Sequence, residues 1–66
     1  MEITVNGQKK EYSGPPSMTS FLQFLGINTR PVVVERNLRI VPRSEIEQEP
    51  IADGDSIEII RFVGGG

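Results

Sequence analysis

A chain with neither cysteine nor histidine lacks the most nucleophilic side chain and the one that titrates nearest neutrality. The usual zinc-binding patterns go with them, so no bound metal or cofactor is expected. Carboxylates remain, and Asp53 and Asp55 flank Gly54. Asp-Gly-Asp ahead of a strand is read as a turn in which Asp accepts hydrogen bonds from local amides, in preference to an acid pair or metal site. Ser44 has no base to activate it, and Arg36, Arg39 and Arg43 are read as solvating a hairpin. Neither Asn6-Gly7 nor Asp53-Gly54 has the glycine spacing of a phosphate cradle. These side chains do not make an autonomous enzyme.

The backbone offers a different group. The apolar segment Ile57 to Val63 runs into Gly64-Gly65-Gly66. Without Cβ atoms, three glycines can pass through a narrow channel and bring a main-chain terminus close to a cofactor held by another protein. The group so presented is the carboxylate of Gly66. Its use as an acyl donor requires conversion to a mixed anhydride such as an acyl-adenylate, with ATP and metal supplied by a separate enzyme. Attack by sulfur on the activated carbonyl leaves a thiocarboxylate, whereas attack by a thiol or amine conjugates the protein. The alternative is a frayed glycine end with no role.

The elements that must carry such a tail follow from periodicity. Met1, Ile3 and Val5 alternate with Glu2 and Thr4, and Asn6-Gly7 tolerates positive φ at both centres of a type I′ turn. The returning arm, Gln8 to Tyr12, is polar apart from Tyr12, as suits an edge strand guarded by Lys9 and Lys10. Gly14-Pro15-Pro16 ends it. Ser17 is placed to cap a helix from Met18 to Leu25, whose Met18, Phe21, Leu22 and Leu25 form one apolar face, and Gly26 stops it. Two helical turns are unstable alone, so that face must lie on a sheet. Pro31 to Glu35 and Leu38 to Val41 form a second hairpin about Arg36-Asn37. Ser44-Glu45-Ile46-Glu47 has the capping-box pattern and suggests a single helical turn. The turn Asp53-Gly54 then leads to a last strand from Ser56 to Val63.

Hairpin, helix, hairpin and closing strand is the order of a β-grasp fold. It is an α+β domain in which the last strand lies parallel to the first and one main helix crosses one face of a mixed sheet. Residues 1–63 are expected to form this domain and residues 64–66 a flexible tail. On the last strand Ile57, Ile59 and Val63 point one way, and Ile60 and Phe62 the other. A single helix covers one sheet face, so one of these sets is expected to be exposed beside the tail as a docking patch, with Ile60, Phe62 and Val63 the candidates. A central strand buried on both sides is the alternative.

At 66 residues with a net charge of −2, the chain is expected to be a single soluble domain. Its scattered basic residues do not suggest a nucleic-acid partner. It has neither the basic start of a leader nor an apolar run of about 20 residues for a membrane span, and a cytoplasmic location is expected.

Several motifs in order resemble one known family. They are Asn6-Gly7 after the first strand, the helix end Leu22 to Gly26, Val34-Glu35-Arg36-Asn37, Ile40-Val41-Pro42-Arg43, Asp53-Gly54-Asp55 with Ile57-Glu58-Ile59, and Phe62-Val63-Gly64-Gly65-Gly66. Their order and spacing resemble the thiamin sulfur carriers, the ThiS-like proteins with a ubiquitin-like β-grasp fold. The resemblance implies a protein co-substrate whose last glycine is adenylated by an E1-like adenylyltransferase using ATP and magnesium. It further implies conversion to a thiocarboxylate with sulfur from a donor such as a cysteine desulfurase, and delivery to thiazole synthase. By the same resemblance Gly65 and Gly66 match the functional diglycine and Gly66 carries the sulfur. The small subunit of molybdopterin synthase is a related alternative, and a non-covalent β-grasp interaction module is one of a different class.

Overall fold

The computed structural model describes residues 1–27 and 32–61. Strand β1 (Glu2–Val5) turns at Asn6-Gly7 into β2 (Gln8–Glu11). Helix α1 (Met18–Leu25) follows, then the hairpin of β3 (Val32–Arg36) and β4 (Arg39–Val41), a 3-10 helix (Arg43–Gln48) and β5 (Ser56–Arg61). The five strands form one sheet in the order β2-β1-β5-β3-β4. Strands β1 and β5 pair in parallel, with Thr4 opposite Ser56 and Val5 opposite Ile57. The other pairings are antiparallel. This is the expected β-grasp arrangement, with its closing strand at the centre of the sheet.

The helix forms where the local signals place it. Ser17 sits in extended conformation and its hydroxyl accepts the Ser20 amide at 3.2 Å. Gly26, at φ 74°, ends the helix in the left-handed region, where glycine has no Cβ to clash. Met18, Phe21 and Leu22 are fully buried and Leu25 packs at the margin of the core. They lie on Ile3, Val5, Val34 and Ile57 from the three central strands. Burying side chains of this size contributes about 1.5 to 3 kcal/mol each, which offsets the poor intrinsic stability of an eight-residue helix. Tyr12 meets Phe21 edge-on, with ring centroids 5.0 Å apart, and donates its hydroxyl to the Pro15 carbonyl at 2.8 Å. Its ring fills the space that a Cβ on Gly14 would need.

Two expectations are corrected. The segment around Ser44 is a 3-10 helix rather than a boxed α-turn. It begins after Pro42, whose carbonyl accepts the Glu45 amide at 2.8 Å, and no side chain caps it. Arg36 does not solvate the hairpin. Its Nε donates to Asp55 Oδ2 at 2.7 Å and a second guanidinium nitrogen lies 3.2 Å from Glu49 Oε2. It thereby ties β3 to both ends of the segment before β5.

Candidate functional site

Strand β5 is the element that leads to the glycines, and three contacts hold it. Beyond the two parallel pairs with β1, the Asn6 side chain takes over the ladder. Its Oδ1 accepts the Ile59 amide at 2.8 Å and its Nδ2 donates to the Ile59 carbonyl at 3.3 Å. Asn6 can do this because it occupies the first centre of the β1–β2 turn at φ 48°, where Asn is tolerated. At the other end of β5, Asn37 plays the matching part. Its Oδ1 accepts the Ser56 amide at 2.9 Å and its backbone amide donates to the Ser56 carbonyl at 2.7 Å. On the other edge of β5, β3 pairs with it from Ile57 to Arg61.

The acidic turn is structural, as its sequence suggests. Asp53 Oδ1 accepts the Glu2 amide at 2.6 Å. Asp55 is buried, and its carboxylate accepts from Arg36, from Asn37 Nδ2 at 3.1 Å and from the Ala52 amide at 2.8 Å. Burial works to raise the Asp55 carboxyl, but these three hydrogen bonds and the Arg36 charge outweigh it and hold the group below its ordinary value. Among the described residues, no group of three or more His, Cys, Asp or Glu side chains is placed to hold a metal ion.

Register settles which side of β5 is covered. Ile57 is fully buried under α1 and Ile59 packs against the core, whereas Ile60 is 46% exposed on the opposite, open face. There it stands beside Val33, with Glu58 opposite Glu35 and Glu35 opposite Ile40. An apolar strip of Ile60, Val33 and Ile40 thus crosses the open face next to the strand end, bordered by two carboxylates that form no ion pair among the described residues. Like charges directly opposite one another on a sheet are destabilising. Val33 and Ile40 were not singled out from sequence, although the two-residue period of Val32, Val33 and Val34 places Val33 across from its buried neighbours. The other sequence candidates, Phe62, Val63, Gly64, Gly65 and Gly66, lie outside the described residues.

The sequence profile of the ThiS family matches residues 3–66. The chain belongs to the ThiS family. A crystal structure of the thiamine biosynthesis protein ThiS from Geobacter metallireducens matches it with a TM-score of 0.84 and 32% identity, over the full length of both chains. The sulfur carrier protein ThiS of Bacillus subtilis strain 168 is 46% identical over 35 residues, 53% of each chain. A thiazole synthase of Paramagnetospirillum magneticum is 42% identical over all 66 residues, and the chain spans only 20% of that protein. ThiS proteins are small sulfur carriers of thiamine biosynthesis, and the five-stranded sheet with one helix is their β-grasp fold. Among the described residues, no helix is long and apolar enough to cross a membrane.

Proposed function

We propose that this ThiS-family chain carries sulfur as a thiocarboxylate on Gly66 and delivers it to thiazole synthase for the thiazole moiety of thiamin. An E1-like adenylyltransferase joins the Gly66 carboxylate to the α-phosphate of ATP, with magnesium, and pyrophosphate leaves. The terminal sulfur of a persulfide on a donor such as a cysteine desulfurase then attacks the carbonyl and displaces AMP, and a thiol reduces the S–S bond of the resulting acyl disulfide, leaving the thiocarboxylate on Gly66 and a disulfide on the donor side. The protein is the co-substrate of these steps and contributes no catalytic side chain.

The observation that carries this reading is the family match, which runs through residue 66 and so includes the three glycines. The open face is its mechanical counterpart. Ile60 ties the strip to β5, the strand whose sequence continues into the glycines, with Val33 on β3 and Ile40 on β4 beside it, so a partner gripping the strip holds the root of the tail while glycines 64 to 66 reach inward. Phe62 and Val63, next in sequence, are proposed to add to that contact. Thiazole synthase is favoured as acceptor because two proteins of that name, from Paramagnetospirillum magneticum and Magnetococcus marinus, each contain a stretch similar to this whole chain. Intact-protein mass spectrometry after incubation with the activating enzyme, ATP, magnesium and a sulfur source tests the reading.

A further inference from the structure

The open face of the sheet holds more negative charge than the whole chain. Strand alternation about the buried Ile3, Val34 and Ile57 puts Glu2, Glu35 and Glu58 on that face. Glu11 stands directly opposite Glu2, and Lys9 opposite Thr4, so both share it. Among the described residues, four glutamates and one lysine leave a formal −3 there; the chain as a whole has −2, so everything else sums to +1. The strand cations other than Lys9 lie on the helix side: Lys10 opposite Ile3, Arg61 opposite Val32, and Arg39 opposite Arg36.

The carboxylates are set in two like-charge pairs, Glu2 facing Glu11 and Glu35 facing Glu58. Directly opposed side chains stand about 5 Å apart at Cβ, and repulsion at that range weakens a sheet. None of the four forms an ion pair among the described residues. A cation brought from outside would therefore relieve a repulsion already built into the free protein. The second pair borders the apolar strip, since Ile40 is opposite Glu35 and the paired Val33 and Ile60 lie two residues along the same strands. Charge narrows what can cover this face. A second copy would set −3 against −3, and nucleic acid or anionic lipid would bring phosphates against carboxylates. A protein surface with lysine or arginine beside an apolar depression satisfies both the charge and the exposed isoleucines.

We propose that thiazole synthase docks on this open face, seating lysine or arginine side chains at Glu35 and Glu58 and an apolar depression over Ile60, Val33 and Ile40. This rests on the sulfur-carrier reading and names the contact by which the acceptor is recognised. Thiazole synthase is the occupant because two proteins of that name contain a stretch similar to this whole chain. The carboxylate pair lies before the glycines in sequence, so it sets encounter rate and affinity and leaves the chemistry at the carbonyl alone. Free-state stability and docking then respond in opposite directions when the pair is neutralised.

The test compares wild type with Glu35→Gln/Glu58→Gln and with a control, Glu45→Gln/Glu47→Gln. The control removes the same charge from the exposed 3-10 helix, which packs beside α1 on the covered side. The unfolding midpoint is measured, and the Kd for the cognate thiazole synthase is titrated at low and high ionic strength. Wild-type binding should weaken with salt. At low ionic strength the open-face variant should bind about tenfold more weakly and lose most of the salt dependence. Its midpoint should equal or exceed that of wild type, and the control should keep the wild-type Kd. An unchanged Kd in the open-face variant would overturn the proposal, as would equal weakening in the control or no saturable binding by wild type. A lowered midpoint in the open-face variant would also overturn it, because the pair would then be serving the fold. Thiocarboxylate formation on wild type is checked separately with the activating enzyme. Its failure removes the carrier reading and this contact with it, whereas its success with an unchanged Kd removes the contact alone.

Discussion

Asn6 Oδ1 accepts the Ile59 amide at 2.8 Å, a hydrogen bond between residues 53 apart in sequence that continues the β1–β5 ladder after the strand pairing itself has ended. A turn side chain thus secures the part of β5 nearest the tail. On the proposed carrier function, this fixes relative to the open face the strand whose sequence leads into the glycines.

Replacing Asn6 by Gly keeps the turn conformation and removes the clamp. Loss of the two side-chain bonds is expected to cost roughly 1 kcal/mol and to speed hydrogen exchange of the Ile59 amide, with little change at the backbone amide of residue 6, which donates to the Ile57 carbonyl. Residue-resolved exchange checks this. Unchanged protection at Ile59 would show that β3 alone holds the strand end.

Acid should weaken the fold through Asp55. Its carboxyl lies below the ordinary value in the folded state, so folding favours the charged form. The stability it contributes is present above the unfolded value of about 3.9 and is lost as pH falls through the folded value. Asp55→Asn is expected to flatten that acid limb. Asp55→Ala strands three donors and should destabilise by about 2 to 3 kcal/mol at neutral pH. Chemical denaturation across pH provides both tests, and an acid limb unaltered in Asp55→Asn would assign it to other carboxylates.

Ile60 is exposed on the open face and contributes little to the core. Ile60→Asp should therefore retain the fold while weakening docking to the activating enzyme or thiazole synthase by about 2 kcal/mol if it is a hot spot. Circular dichroism and a binding titration separate the two effects. Cooperative unfolding lost on this change would place Ile60 in the core.

The parts of this molecule legible in its sequence are those written locally. Met18, Phe21, Leu22 and Leu25 mark a helical face, and Ser17 and Gly26 mark its ends, because capping acts within one turn of chain. Strand order followed from the succession of hairpin, helix and hairpin. The Arg36 cluster was not legible, since Asp55 and Glu49 lie 19 and 13 residues away and cross-loop ion pairs leave no periodic trace. Ser44 misled for the converse reason: a capping-box pattern was present, but the chain leaving Pro42 tightened into a 3-10 helix. Asn6 was read as a turn residue, and its second role required knowing that β5 would lie beside it. The exposed side of β5 stayed open until the pairing of Val5 with Ile57 put Ile57 under the helix and Ile60 outside.

The central claim is that Gly66 carries the sulfur, and mass analysis of the modified protein addresses it most directly. After incubation with the cognate activating enzyme, ATP, magnesium and a sulfur source, the intact protein should gain the mass of one oxygen-to-sulfur replacement, localised by fragmentation to Gly66. Deleting Gly66 shortens the reach by about 3.5 Å, and Gly65→Val places bulk in the channel. Each should abolish the gain while leaving the circular dichroism spectrum and unfolding midpoint unchanged. Modification of the truncated protein, or a mass gain mapped to an internal residue, would contradict the carrier mechanism.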